Sequence, residues 1–265
     1  MKVLRFLLKL VILMVVIVLS VYAYDTYHSY EGTNRQSGAH TQVEQNIETT
    51  EDELSRTERL HRLFNIPSAV EVAMNRRVAA DNRVKSSVIA PNAKRALISI
   101  EDKRFYEHGA IDPFGIARAI YTNTVAGETL EGGSTITQQL VKNLFLSSKR
   151  IMSRKAEEAI IAILMEHYYT KDEILTMYMN TIYYGHDFYG IKAAAAGYFE
   201  TTPGRLTLAQ SAMLAGLPQA PTYYDPLVNY KAAKKRQHMV LMQMDEQGMI
   251  SKAEADAAYN EPLGL

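Results

Sequence analysis

Apolar residues recur at helical spacing along most of the chain, and apolar and polar residues nowhere alternate long enough to indicate a β-strand. The pattern predicts a helix from a cap at Asn92 to a last turn at Glu101 and Asp102, and a second helix after a cap at Ser134. Further helices are predicted after a cap at Ser153, after capping boxes that start at Thr170 and Thr207, and over residues 229–247 and 251–259. The sequence therefore predicts a mainly α protein.

The longest apolar run lies at the N-terminus. Counted from Phe6, it has roughly the 17 to 25 residues that a helix needs to cross a bilayer, and basic residues lie ahead of its centre. Positive charge on the N-terminal side of the run keeps the N-terminus in the cytoplasm. The rest of the chain then lies on the extracytoplasmic side of the cell membrane. A cleaved signal peptide is the alternative, because Val21 and Ala23 are small residues at suitable offsets.

Composition divides the chain into three parts. Residues 1–24 are interpreted as a single-pass transmembrane signal anchor, and residues 60–265 as the folded domain. Residues 25–59 form a polar, acidic stalk with too few apolar residues to offset the entropy of ordering. The 265 residues include no cysteine, which excludes disulfides, and the formal net charge of zero gives no indication of a nucleic-acid partner.

Two adjacent carboxylates end the first predicted helix. The C-terminus of a helix carries partial negative charge, so Glu101 and Asp102 are electrostatically unfavourable there. This setting favours a general base with a raised pKa. The alternative is a solvated helix end with Lys103 and Arg104 as counter-charges.

An aromatic side chain and a titratable imidazole follow this acid pair. Phe105 and His108 place an aromatic ring and an imidazole next to the carboxylates, which is unusual for a solvated helix end. We therefore expect this part of the chain to enclose a site.

The segment GGSTITQQLVKNLFL predicts a ligand-binding helix. Thr135, Gln139, Lys142 and Asn143 share one helical face, and solvated faces usually carry Glu and Lys instead. Two glycines and Ser134 at the helix N-terminus suit an anion such as phosphate. An ordinary amphipathic helix with a glycine-rich entry is the alternative.

A second charged cluster lies in the segment that starts at Ser153. Arg154, Lys155 and Glu158 share a helical face, because residues three and four apart are neighbours. They form either a surface salt-bridge cluster or a pyrophosphate clamp that contains a carboxylate. The sequence contains no cysteine and histidine spacing typical of a metal site.

These segments occur in an order that resembles a known family. EDKRFYEH, GGSTITQQLVKNLF, RKAEE, and KDEILTMYMNTIYYG with YGIKAAAAGYF are similar to the successive motifs of the peptidoglycan glycosyltransferases, glycosyltransferase family 51. That family includes the transglycosylase domains of class A penicillin-binding proteins and the monofunctional biosynthetic transglycosylases. The resemblance covers about residues 92–226 and implies a two-lobed, lysozyme-like domain that embeds partly in the membrane.

The resemblance also implies a reaction and a set of site residues. The family polymerises lipid II into β-1,4-linked glycan strands, with inversion at the anomeric carbon and release of undecaprenyl diphosphate. The resemblance implies two catalytic carboxylates: Glu101 matches the general base of the family, and Glu158 matches the carboxylate that lies with Lys155 near the leaving diphosphate. The remaining matched or neighbouring positions support or contact substrate: Asp102, Phe105, His108, Ser134, Thr135, Gln139, Lys142, Asn143 and Arg154.

Partners and cofactors follow from the same resemblance. Lipid II, the growing glycan strand and membrane lipid are the expected ligands, and penicillin-binding transpeptidases and other cell-wall assembly proteins the expected partners. Parts of the family use a divalent cation, Mg²⁺ or Mn²⁺.

The sequence departs from the family pattern at one position and lacks a second set of motifs. Ala110 stands where the family usually has glycine, which affects the loop after His108. No transpeptidase motif set is found, so we expect a monofunctional enzyme. A lysozyme-like lytic enzyme and a non-catalytic lipid II-binding protein are the alternatives.

Overall fold

The computed structural model of the chain describes residues 62–126, 132–146 and 152–265. These residues contain no β-strand beyond a single bridge between Tyr183 and Tyr189, so the predicted mainly α class is confirmed. The helices are α1 (Ile66–Arg77), α2 (Pro91–Glu101), α3 (Pro113–Ala126), α4 (Ile136–Phe145), α5 (Met152–Tyr168), α6 (Lys171–Thr181), α7 (Gly190–Phe199), α8 (Leu208–Gly216), α9 (Tyr230–Glu246) and α10 (Lys252–Asn260). Short 3₁₀ turns lie at Ala80–Asn82, Ser86–Val88 and Pro203–Arg205.

The anchor predicted for residues 1–24 and the stalk predicted for residues 25–59 lie outside the described residues. Within the described ranges, none of the helices combines the length and the apolar character that crossing a membrane requires.

Helix packing brings the ends of α2 and α4 together. α8 packs on α2 and α9, and α10 packs on α9; α4 packs on α5 and α6, and α1 lies against α4 and α5. The fully buried side chains of Leu97, Ile136, Leu140, Met165 and Ile174 belong to one continuous core that joins these helices. Each such side chain stabilises the fold by roughly 1.5 to 3 kcal/mol relative to an exposed position.

Two of the predicted caps are wrong by one or two residues. α2 begins with Pro91 after Ala90, because the fixed φ of proline suits the first helical position, and Asn92 Oδ1 instead accepts a bond from Arg95 at 2.6 Å. The cap of α4 is Thr135, which forms a reciprocal capping box with Gln138.

Of three further predicted caps, one is wrong and two are confirmed. α5 begins at Met152, so Ser153 lies within the helix and not at its cap. The capping boxes at Thr170 and Thr207 are confirmed, each with its partner three residues later.

Candidate active site

A cleft of about 560 Å³ lies where the C-terminal end of α2 meets the N-terminal end of α4. Residues of α3 and α9 form its remaining walls. Its polar and charged lining includes Glu101, Arg118, Ser134, Gln139 and Arg236. The cleft thus has the size and polarity of a small-molecule or oligosaccharide site.

Glu101 occupies the last position of α2 and is half-buried. Its Oε2 accepts a hydrogen bond from Gln139 Nε2 at 2.9 Å, and its Oε1 is buried with no hydrogen-bond partner among the described residues. Burial raises the pKa of Glu101 and prevails over the Gln139 bond and the charges of Arg236 and Lys142, which lower it, while the Asp102 charge raises it further. A carboxylate of this kind takes up a proton more readily than a solvated one.

The Gln139 amide has a second partner that the sequence patterns did not place in the site. The hydroxyl of Tyr178, on α6, donates to Gln139 Oε1 at 2.7 Å. Burial, and next the negative charge of Glu101, raise the pKa of Tyr178 well above its ordinary value, so the hydroxyl keeps its proton. The apolar spacing of α6 predicts Tyr178 as a packing residue, and only its polar tip indicates a further contact.

Asp102 joins the two parts of the site. Its Oδ2 accepts the backbone N–H of Ile136 at 3.0 Å, in the first turn of α4, and its Oδ1 lies 2.7 Å from His108 Nε2. His108 Nδ1 lies 2.5 Å from the carbonyl oxygen of Gly109. Both ring nitrogens therefore face oxygen acceptors, which fixes the orientation of the imidazole.

The N-terminus of α4 is therefore already occupied by an anion from the protein. Thr135 N–H donates to Gln138 Oε1, Gln138 N–H donates to Thr135 Oγ1, and Ile136 N–H donates to Asp102. The Asp102 carboxylate thus uses the partial positive charge of the helix end, and an anion site at the backbone of Gly132, Gly133 and Ser134 stays a prediction.

The predicted polar stripe of α4 does not act as one surface. Thr135 is buried and donates its hydroxyl to the carbonyl oxygen of Ala110 at 2.7 Å. Lys142 is exposed and Asn143 is half-buried. Of these four predicted positions, Gln139 is the one among the described residues that lines the cleft.

Phe105 supports the site from within the core. Its ring is fully buried, and the ammonium of Lys171 lies 4.6 Å from the ring centre. Lys171 also pairs with Glu166 at 2.6 Å, and Glu166 accepts the hydroxyl of Thr137 at 2.6 Å. These contacts fasten the turn after Asp102 to α4, α5 and α6.

Lys155 and Glu158 form the contact that their spacing predicts. The Lys155 ammonium forms an ion pair with Glu158, whose side chain is 2 % exposed, and donates to Ser134 Oγ at 3.0 Å. Through Ser134 this pair reaches the edge of the cleft, and Arg154 lies half-buried beside it. An exposed cation held by a buried carboxylate can interact with an anionic leaving group.

Two cationic side chains of the cleft are absent from the sequence-based set. Arg236 of α9 is buried, and its Nε donates to the carbonyl oxygen of Gly216 at 3.3 Å. Burial lowers the pKa of Arg236, and the charge of Glu101 opposes that shift. Arg236 lies in the run KAAKKRQH, which has the composition of a solvated face, and Arg118 is the one charged residue of α3. The neighbouring sequence therefore does not mark either arginine as a site residue.

In this helical domain, a desolvated carboxylate lines a cleft whose walls carry cationic side chains. The arrangement defines a site for acid–base chemistry on an anionic substrate. The family model described as Transglycosylase matches residues 69–245, and the chain belongs to that family. The family proposed from the sequence motifs is thereby confirmed.

The individual relatives that the chain resembles are penicillin-binding proteins. Penicillin-binding protein 1F of Bacillus subtilis is 45% identical over 187 residues, which cover 70% of this chain and 26% of that protein. Penicillin-binding protein 1A of Neisseria flavescens is 49% identical over 170 residues, which cover 64% and 21%. A crystal structure of penicillin-binding protein 1A from Haemophilus influenzae matches at 44% identity with a TM-score of 0.34, over 35% of this chain and 14% of that one. The chain therefore spans about a quarter or less of these relatives.

Proposed function

We propose that this chain is a peptidoglycan glycosyltransferase that polymerises lipid II into β-1,4-linked glycan strands. The observation that carries the proposal is Glu101, whose buried Oε1 has no hydrogen-bond partner among the described residues and whose Oε2 is held by Gln139 at the wall of the cleft. Membership of the transglycosylase family supports the same assignment. Lipid II and the growing strand are the proposed substrates.

In the proposed reaction, the Glu101 carboxylate accepts the proton of the acceptor sugar's 4-hydroxyl group. The oxygen attacks the anomeric carbon of the donor from the face opposite the α-linked diphosphate. The new carbon–oxygen bond forms as the bond to diphosphate breaks, so the configuration inverts to β and undecaprenyl diphosphate leaves. The raised pKa of Glu101 suits a base that must take up this proton near neutral pH.

Positive charge near the cleft stabilises the departing diphosphate in this mechanism. Lys155 has an exposed ammonium anchored by the buried Glu158, and Arg118 lines the cleft. Such preformed charges require little reorganisation as negative charge develops on the leaving group. We assign Glu158 the role of holding Lys155 in place.

A divalent cation remains an expectation from the family resemblance. Among the described residues, no three carboxylate or imidazole groups come together in a way that could hold one. The described part of the cleft therefore supplies no protein-held metal site, and the proposed mechanism contains no step through a metal.

We further propose that the enzyme works at the extracytoplasmic face of the cell membrane, with residues 1–24 as its anchor and a two-lobed domain. Helix α3, which forms one wall of the cleft, exposes the apolar side chains of Phe114, Ile120, Tyr121 and Val125. An exposed apolar face of this kind suits contact with lipid. To these 265 residues we assign glycan polymerisation and no cross-linking of peptides, with transpeptidases as proposed partners.

Polymerisation of labelled lipid II by the purified full chain tests the proposal. We expect glycan strands from the wild type and a loss of about 100-fold or more in Glu101→Gln, because general-base catalysis contributes about 10² to 10⁴-fold. Glu158→Gln should also lower the rate strongly. The matched controls are Glu107→Gln, at an exposed position, and Glu157→Gln, on the same helix as Glu158; both should keep wild-type rates.

Other outcomes would redirect the assignment. Binding of lipid II without strand formation under all metal and detergent conditions would support a non-catalytic role. Shortening of preformed glycan by the wild type would support a lytic enzyme instead.

A further inference from the structure

Three side chains from three helices form a continuous hydrogen-bonded chain that ends at the proposed base. Tyr178 of α6 donates to Gln139 Oε1 at 2.7 Å, and Gln139 of α4 donates to Glu101 Oε2 at 2.9 Å. Tyr178 is 1 % exposed and does not line the cleft. Its hydrogen-bonded connection to Glu101 runs through Gln139.

The Gln139 amide permits two orientations in such a chain. In the first, its oxygen faces Tyr178 and its NH₂ group donates to an ionised Glu101. In the second, the amide is turned over, so that NH₂ faces the tyrosine oxygen and a protonated Glu101 donates to the amide oxygen. The orientation of one amide is thus coupled to the protonation state of Glu101.

Tyr178 favours the first orientation. Its hydroxyl keeps its proton, and Gln139 Oε1 is the acceptor that the structure gives it. Turning the amide over would leave this buried O–H group facing another donor, and a buried polar group without a partner is costly. The tyrosine therefore selects the orientation in which the amide N–H points at the carboxylate.

We propose that Tyr178 is a positioning residue for Glu101, holding the Gln139 amide so that its NH₂ group donates to Oε2 and favours the ionised carboxylate that accepts the proton of the acceptor hydroxyl. This inference rests on the proposed function, because that function names Glu101 as the base. Replacing Tyr178 by phenylalanine keeps the ring in the core and removes the O–H donor. The amide then turns over more readily, and the protonated form of Glu101 gains a stabilising acceptor.

Other charged groups around Glu101 are not altered by this substitution. Asp102 follows it in sequence, Lys142 lies on α4, and Arg236 faces it from α9. The Tyr178 hydroxyl donates its proton to Gln139 and not to any of these three groups. A change in the titration of Glu101 in Tyr178→Phe would therefore reflect the amide.

The first experiment measures kcat/KM against pH for the wild type and Tyr178→Phe in lipid II polymerisation. A hydrogen bond to a charged group corresponds to roughly one to two pKa units, and the amide keeps part of its preference, so the acid limb should move up by about one pH unit. Tyr198→Phe is the matched control, because it removes the hydroxyl bond of another buried tyrosine, to the Tyr184 carbonyl oxygen at 3.0 Å. The control should leave the acid limb in place.

The second experiment does not depend on turnover. The carboxyl ¹³C resonances of the glutamate-labelled full chain in detergent are titrated, and Glu101 is assigned by its loss in Glu101→Gln. Its midpoint should rise in Tyr178→Phe and not in Tyr198→Phe. Incorporation of 3-fluorotyrosine at position 178 preserves the shape of the side chain and strengthens the donor, so the midpoint should fall.

The outcomes separate this inference from the proposed function. If the Glu101 midpoint is the same in the wild type, Tyr178→Phe and the fluorotyrosine protein, Tyr178 does not position the base and the inference is overturned. If the midpoints shift as expected but the wild type makes no glycan, the positioning stands and the proposed function fails.

Discussion

Replacing Asp102 by alanine should weaken the fold at the junction of α2 and α4. The carboxylate is 9 % exposed and accepts two hydrogen bonds, from Ile136 N–H at 3.0 Å and from His108 Nε2 at 2.7 Å. Asp102→Ala removes both acceptors. The Ile136 N–H would then be left without a partner at a fully buried position.

The size of the effect follows from these two bonds. Each hydrogen bond to a charged group contributes about 1.5 to 3 kcal/mol, and the anion at the helix N-terminus adds about 0.3 to 1 kcal/mol. Part of the loss is offset because a buried charge no longer has to be desolvated. We expect a net loss of about 3 kcal/mol, a large share of the roughly 5 to 15 kcal/mol that stabilises a typical domain.

Urea unfolding of the full chain, followed by circular dichroism, measures this loss. The matched control is Asp172→Ala, which removes an exposed carboxylate that accepts the Tyr106 hydroxyl at 2.7 Å, and it should cost less than about 1 kcal/mol. Asp102→Asn should fall between the two, because it keeps one oxygen acceptor. Equal unfolding free energies for Asp102→Ala and Asp172→Ala, within about 0.5 kcal/mol, would refute the reasoning.

Three further predictions concern stability. The pKa of Glu101 is raised from 4.5, so the folded state keeps the Glu101 proton to higher pH than the unfolded state, and the free energy of unfolding falls as pH rises above 4.5. Glu101→Gln should lose this dependence when urea unfolding is measured at several pH values. An unchanged slope of unfolding free energy against pH in this variant would contradict the raised pKa. Gly190→Ala should lower the free energy of unfolding by at least about 2 kcal/mol more than Gly248→Ala. Both glycines have positive φ, but a Cβ at position 190 would collide with the Asn180 carbonyl oxygen, whereas at position 248 no described atom outside the chain neighbours lies within 4 Å. Similar melting temperatures for the two variants would refute the clash. Burial raises the pKa of Asp112, but hydrogen bonding and nearby positive charge prevail and lower it below 3.8. Asp112→Ala should therefore lower the free energy of unfolding by about 1 to 2 kcal/mol at pH 7, and this loss should shrink as pH falls below 3.8. An equal loss at pH 7 and at pH 2.5 would contradict the lowered pKa.

The helical spacing of apolar residues was sufficient to predict the α class and most helices, because burial of one face dominates helix formation. Local spacing also predicted the Lys155 and Glu158 contact, since residues three apart on a helix are neighbours. Caps were harder to predict. Ser134 and Thr135 are both suitable capping residues, and the choice depends on Gln138 and on the contact of Thr135 with Ala110.

The connections that define the site lie beyond the reach of local patterns. Glu101 and Gln139 are 38 positions apart, and Gln139 and Tyr178 are 39 positions apart, so no helical period relates them. Arg236 enters the cleft from α9, whose positively charged sequence resembles a solvent-exposed face. Such side chains are identified only when the packing of helices is known.

The bond between Asp102 and Ile136 joins residues 34 positions apart and so closes a long excursion of the chain at its base. That excursion carries α3, with its exposed apolar side chains and the cleft residue Arg118. Substitutions on the exposed face of α3 should leave the hydrogen bond between Glu101 and Gln139 in place, because the closure at Asp102 and Ile136 holds the ends of α2 and α4 together. Within that excursion, the closure thus separates the exposed apolar surface of α3 from the pair that Glu101 and Gln139 form.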